Sequence, residues 1–139
     1  MKTNASMPPG TFIPELAYED VARAAAWLCE AFGFRERLRI ADHRVQLTFG
    51  DGSVVVTDGG KAGAATARDH AVMVRVADAD AHCARAERAG AKIQRRPETH
   101  PFGERQYTAI DPGGHAWTFS QSVDDVDPAT WGGVVAKES

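Results

Sequence analysis

The chain has 139 residues, 43% of them hydrophobic and 25% charged, with a net charge of −3; this is the balance of an ordinary globular domain with one core. Charges of both signs are interspersed, which leaves no basic stripe for nucleic acid or an anionic membrane. No run approaches the ~18 apolar residues of a membrane span, and the opening MKTNASMPPG has no signal-peptide-like hydrophobic stretch, so a cytoplasmic location is expected. Cys29 and Cys83 fall in predicted helices without metal-type spacing and read as free thiols of a reducing compartment.

Residues 1–11 read as a flexible lead. Phe12–Tyr18 follows as a strand, with Pro14 pointing to an edge or an irregular start. Asp20 is an N-cap for a helix over Val21–Phe32, whose apolar residues Val21, Ala24, Ala25, Leu28 and Phe32 keep helical spacing, and Gly33 stops it. Arg35–Ile40 is a possible strand, and Val45–Phe49 and Ser53–Thr57 form a hairpin across Gly50-Asp51-Gly52. The small, glycine-rich stretch over 58–70 is a linker.

The order then restarts. Ala71–Val76 is a strand, Asp78 an N-cap, Ala79–Ala89 a helix, Gly90 its stop and Ala91–Ile93 the start of another strand. Arg105–Ile110 and His115–Gln121 flank Asp111-Pro112-Gly113-Gly114, a turn in which Pro presets φ and the glycines accept positive φ. On the last strand His115, Trp117 and Phe119 share one face, and Ala116, Thr118 and Ser120 the other. Asp20 and Asp78 lie 58 residues apart, so strand–helix–three strands occurs twice, over 12–57 and 71–121. One such unit leaves a sheet face uncovered; two must pair, which predicts an α+β domain of two βαβββ modules forming a curved mixed sheet around a cavity. The tail, 122–139, carries Asp127-Pro128 as the start of a short helical turn, with Trp131 pinning it to the body.

Three stretches carry a family likeness: IPELAYEDVARAAAWLCEAFGF, AVMVRVADADAHCARAERAGAKI and FGERQYTAIDPGGHAWTFSQ. With the hairpin between them, residues 12–121 resemble the glyoxalase/bleomycin-resistance group, or vicinal oxygen chelate superfamily. The resemblance implies paired βαβββ modules, often homodimeric, serving metal-dependent isomerases, dioxygenases and thiol transferases as well as metal-free drug-binding proteins. Fold therefore does not settle function. In the metal-using relatives a His or Glu stands seven residues before the helix-capping Asp; here that residue is Ile13, and its counterpart in the second module is Ala71, with His70 one residue off and facing the other way. The Glu seven after the turn Asp is replaced by Thr118, and the remaining position falls in Val54-Val55-Val56. None of these offers a ligand to a divalent ion, so no metal and no other cofactor is expected, and a metal-dependent glyoxalase is disfavoured.

The likeness places Ile13, Glu15 and Ala17 toward the cavity, and likewise Ala71, Met73 and Arg75. A carboxylate there needs a partner or a ligand; Glu15 and Arg75 either bridge each other or present charge to a ligand. Met73 suits a pocket wall or core filling. Arg105 either pairs with Glu104 or Asp111 or meets the ligand, Phe102 is a gate or a loop anchor, and Thr118 lines the cavity. His115 reads as structural and His82 as a half-buried helix residue. No GxSxG, P-loop or matched Cys–His pair is present in the sequence. Two functions follow. One is a metal-free module that sequesters an amphipathic or aromatic small molecule, as a homodimer. The other is a lyase, isomerase or dioxygenase holding a metal through nonstandard ligands such as Glu15, His70, His100 or His115.

Overall fold

The computed structural model describes residues 4–61 and 70–135. The expected linker over 58–70 lies outside the described residues for its part 62–69, as does the end of the tail, 136–139. In chain order the first module runs β1 (Glu15–Ala17), α1 (Val21–Phe32), β2 (Arg35–Ile40), β3 (Arg44–Phe49), β4 (Gly52–Thr57). The second runs β5 (Ala71–Arg75), α2 (Ala79–Arg88), β6 (Lys92–Thr99), β7 (Glu104–Ile110), β8 (Ala116–Ser122), and a 3-10 turn over Pro128–Trp131 closes the chain. The sheets have the same strand order, β1-β4-β3-β2 (sheet A) and β5-β8-β7-β6 (sheet B), so the repeat read from the two aspartates is real in three dimensions.

Local chemistry explains the elements. Asp20 and Asp78 each accept a hydrogen bond from the backbone three residues on, at Arg23 and Ala81, and so satisfy orphan amides of the two helices. Gly33 ends α1 at φ 82°, a left-handed conformation that a side chain would resist. The strands are two sheets rather than one continuous curved sheet, because β1 and β5 remain edge strands. Pro14 sits just before β1, where it costs the ladder no donor.

The helix-side faces of both sheets share one core. Val45, Leu47, Val54 and Val56 of sheet A join Tyr107, Ala109, Trp117 and Phe119 of sheet B in the same buried cluster as Leu28, Phe32, Cys83 and Ala86 of the helices. Polar groups also cross between modules. Trp27 Nε1 donates to the Ala89 carbonyl at 3.0 Å, and Arg85 Nε donates to the Glu30 carbonyl at 3.1 Å, near the negative end of α1.

The turn after β7 is the tightest joint. Asp111 accepts from the Gly113 and His115 amides at 2.9 and 3.0 Å through Oδ1, and from the Tyr18 hydroxyl at 2.5 Å and Trp117 Nε1 at 3.0 Å through Oδ2. A Cβ at Gly113 would stand 2.6 Å from the Tyr18 ring. Gly113→Ala is therefore expected to cost roughly 1–3 kcal/mol through overpacking, read as a lowered denaturant midpoint at unchanged slope.

Two further expectations change. Residues 4–10 of the lead lie against sheet A: Ser6 and Pro9 accept side-chain hydrogen bonds from Gln46 and Ser53. Trp131 remains 47% exposed and meets the body through Phe102, at a ring separation of 5.5 Å.

Candidate functional site

A strand with one face in the core turns every second side chain outward. On sheet B the outward set comes from three adjacent strands. Register puts Met73 beside Thr118 and Arg75 beside Ser120, then Thr118 beside Thr108, Ser120 beside Gln106 and Ser122 beside Glu104. These side chains are joined. The Thr108 and Thr118 hydroxyls are 3.0 Å apart. Gln106 Nε2 donates to Ser120 Oγ at 3.0 Å, Ser120 Oγ donates to Glu104 Oε1 at 2.7 Å, and Arg75 Nη1 donates to Ser122 Oγ at 2.9 Å. Hydrogen bonds from Ser122 and Ser120, and then the Arg75 charge, hold the Glu104 carboxyl below its usual range, so it is an anion at neutral pH.

An apolar groove adjoins this polar row. It has a volume of about 510 Å³ and runs between the β3–β4 hairpin and β5, with Phe12, Phe49, Val54 and Val74 on its walls and Trp117 at its base. Met73 and Arg75 belong to both the groove and the row, so the two form one continuous surface. Met73 is 65% exposed and Phe12 91% exposed. The arrangement offers an apolar slot at one end and fixed donors and acceptors at the other.

The residues named from the sequence divide. Met73, Arg75 and Thr118 come together on this face. Glu15 lies on the other sheet, in an ion pair with Arg44, so the Glu15–Arg75 bridge does not form. Arg105 points to the helix side, where Nε and Nη2 bind Asp80 at 2.9 and 3.0 Å and Nη1 binds Thr99, rather than to Glu104 or Asp111. Phe102 is an anchor: its ring stacks on His100 at 5.1 Å and leans on Trp131. Gln106 and Ser122 are not among the residues named from the sequence, and Glu104 is named there only as a possible partner of Arg105. Their signal was the two-residue period: Tyr107 needs the core, which turns Glu104, Gln106 and Thr108 outward.

The histidines do not converge. His70 and His115 meet on the helix side, Nε2 to Nδ1 at 3.3 Å, while His115 Nε2 donates to the Ala17 carbonyl at 2.9 Å. Among the described residues no three His, Cys, Asp or Glu side chains are grouped to hold a metal. At the family's ligand positions, Ala71 and Thr118 share the outer face of sheet B and neither suits a divalent ion. The residues present do not fit a metal there.

His82, like His115, has both ring nitrogens engaged, here between the two modules. Nε2 donates to the Phe32 carbonyl at 2.8 Å, and the Tyr107 hydroxyl donates to Nδ1 at 2.5 Å. Burial pushes its pKa below the ordinary 6.5, against a partial opposing effect of the Phe32 hydrogen bond. Below pH 6.5 the unfolded chain then takes up a proton that the folded chain resists, so this stability is complete above 6.5 and is lost as pH falls. Urea titrations at pH 7.5 and 5.5 should show the wild type losing more stability than His82→Gln, by up to about 1.4 kcal/mol per pH unit.

Comparison with known proteins places this geometry. The family model of the Glyoxalase/Bleomycin resistance protein/Dioxygenase superfamily matches residues 13–119. The chain belongs to this superfamily. Among solved structures, TioX from Micromonospora sp. ML1 is similar at 36% identity and a TM-score of 0.69, covering 81% of this chain and 98% of its own. A glyoxalase-related enzyme from Fulvimarina pelagi aligns at 18% identity and a TM-score of 0.66, covering 81% and 87%. The fosfomycin resistance protein FosX from Listeria monocytogenes, in a mutant complexed with Mn(II) and a dihydroxypropylphosphonic acid, aligns at 13% identity and a TM-score of 0.67, covering 81% and 90%. The last two likenesses show the superfamily fold alone. A search of curated proteins finds no significant match.

Proposed function

We propose that this superfamily member is a metal-free binding protein for an amphipathic or aromatic small molecule, held in the groove beside β5 and on the adjoining outer face of sheet B. The observation that carries the reading is the junction of the apolar groove with the Glu104–Ser120–Gln106 row through Met73 and Arg75. An apolar ring system fits the groove between Phe49, Val54 and Met73. A polar head then meets the Glu104 carboxylate and the Arg75 guanidinium, which suits a group with both donors and acceptors. Ala71 and Thr118 stand where metal-using relatives place ligands, and this supports binding without a metal. The exposed Met73 and Phe12 support a homodimer in which a second chain covers this face. Both cysteines are free, consistent with residence in the cytoplasm, and no described helix is long and apolar enough to cross a membrane.

The test is a thermal-shift screen of amphipathic aromatic compounds on metal-analysed protein, followed by calorimetry on each hit. Expected are one site per chain and loss of roughly tenfold or more in affinity in Met73→Asp, because a charge replaces part of the apolar wall. A panel in which no compound stabilises the protein would count against the reading. Binding that appears only with about one equivalent of bound divalent metal would overturn it in favour of a metal-dependent enzyme.

A further inference from the structure

Sheets A and B have the same topology, yet their outer faces differ in one respect. The face of sheet B carries the exposed Met73, and that of sheet A is covered by the chain's own residues 4–10. Three strands each supply a donor to that segment. Arg37 Nη2 of β2 donates to the Ala5 carbonyl at 2.7 Å, Gln46 Nε2 of β3 to the Ser6 carbonyl at 2.8 Å, and Ser53 Oγ of β4 to the Pro9 carbonyl at 2.6 Å. The ends of these bonds are set in advance. Arg37 Nη1 also donates to Gln46 Oε1 at 2.5 Å, which fixes the amide with its NH₂ toward the segment.

Between those donors the face is apolar and closed. Val55 pairs with Gln46 in register, lies two residues from Ser53 and belongs to the outer face, not to the helix-side core; it is nonetheless only 3% exposed. Pro8, between the two bonded carbonyls of Ser6 and Pro9, is itself buried. Every polar contact in this set therefore goes from a side chain of the sheet to a main-chain oxygen of the segment. The segment itself turns, with the Met7 N–H donating to the Asn4 carbonyl at 3.1 Å and the Ser6 N–H to Asn4 Oδ1 at 3.0 Å, so the surface reads the main-chain oxygens of a turn and the ring that follows it, not a particular side-chain sequence. A Pro-Pro pair suits it because proline restricts φ in advance and lowers the ordering cost of binding.

We propose that the outer face of sheet A is a peptide-binding face, with Arg37, Gln46 and Ser53 as its carbonyl-reading donors and residues 4–10 as its resident occupant. The ligand class is a peptide-like chain that turns and then presents a proline-type ring, as residues 4–8 do. The covalent tether gives the resident segment a high effective concentration, so a chain in trans binds only when that segment is displaced. This site is separate from the groove and polar row of sheet B, and it stands whether or not that face binds a small molecule.

The experiment uses full-length protein and a fluorescently labelled synthetic peptide of residues 1–12, MKTNASMPPGTF. Pro8→Asp in the protein places a charge where the buried ring sits and should release the resident segment. Fluorescence anisotropy should then show saturable binding of the wild-type peptide to Pro8→Asp, at least roughly tenfold tighter than to the wild-type protein. Adding Gln46→Leu should weaken that binding by roughly tenfold, the size expected for one lost hydrogen bond. In parallel, the Gln46 side-chain amide resonance should move in Pro8→Asp and return toward its wild-type position as peptide is added. Equal peptide binding by wild type and Pro8→Asp would overturn the proposal. So would a cooperatively folded Pro8→Asp protein whose Gln46 amide does not move and which takes up no peptide.

Discussion

Replacing Asp111 by Ala should lower folding stability by about 3–5 kcal/mol, measured by denaturant titration against the wild type. The carboxylate accepts four hydrogen bonds, two from its own turn and two from Tyr18 and Trp117. Tyr18 comes from the first module, just after β1, and the other partners come from the second. Alanine would leave the Tyr18 hydroxyl and the Trp117 indole N–H buried without partners, and each such group costs about 1–3 kcal/mol. Burial and the neighbouring Asp111 charge already raise the Tyr18 pKa well above the phenol range, so the hydroxyl stays a donor and cannot escape by ionising. Asp111→Asn keeps one acceptor oxygen and should fall between the two. A loss under about 1 kcal/mol in Asp111→Ala would show that the modules are joined by the apolar core alone.

Phe32→Ala should cost a similar amount, about 3–5 kcal/mol, for a different reason. Phe32 is fully buried at the end of α1, and its ring lies 4.8 Å from Phe119, 5.2 Å from Trp27, 5.5 Å from Trp117 and 5.7 Å from Phe34. These neighbours belong to α1, the link into β2 and β8, so a cavity here loosens both modules at once and cannot close by moving one helix. Phe32→Leu keeps most of the volume and should lose clearly less. Equal losses in the two variants would mean that ring geometry, and not cavity volume, sets the cost. The unfolding transition of Phe32→Ala should stay single if the modules fold as one unit, and split in two if they do not.

Much of the architecture was written in short-range chemistry. The capping aspartates Asp20 and Asp78, the stop at Gly33 and the Asp111–Gly114 turn mark the element boundaries because each satisfies or frees specific backbone groups. The 58-residue spacing of the caps was enough to reveal the repeat, and period-two alternation placed His115, Trp117 and Phe119 in the core and Thr118 outside. The same alternation puts Met73, Arg75 and Thr118 on one face, and register then brings them together.

Pairing across distance was not legible in that way. Arg105 chose Asp80, 25 residues away, over its neighbour Glu104, since alternation turns Arg105 to the helix side and Glu104 to the outside. Glu15 chose Arg44 over Arg75, since β4 pairs with both β1 and β3 and so brings Arg44 of β3 within reach of β1, while Arg75 lies on the other sheet. The lead segment has no strong propensity of its own and looked free. Three side chains from three strands hold it, and a surface assembled from separate strands exists only once the sheet has formed. Sequence thus determined the elements, their order and the faces of each strand, because those depend on neighbours within a few residues. Tertiary structure alone decided the charge partners, the groove beside the polar row and the covered face of sheet A, because each requires residues that only sheet register brings together.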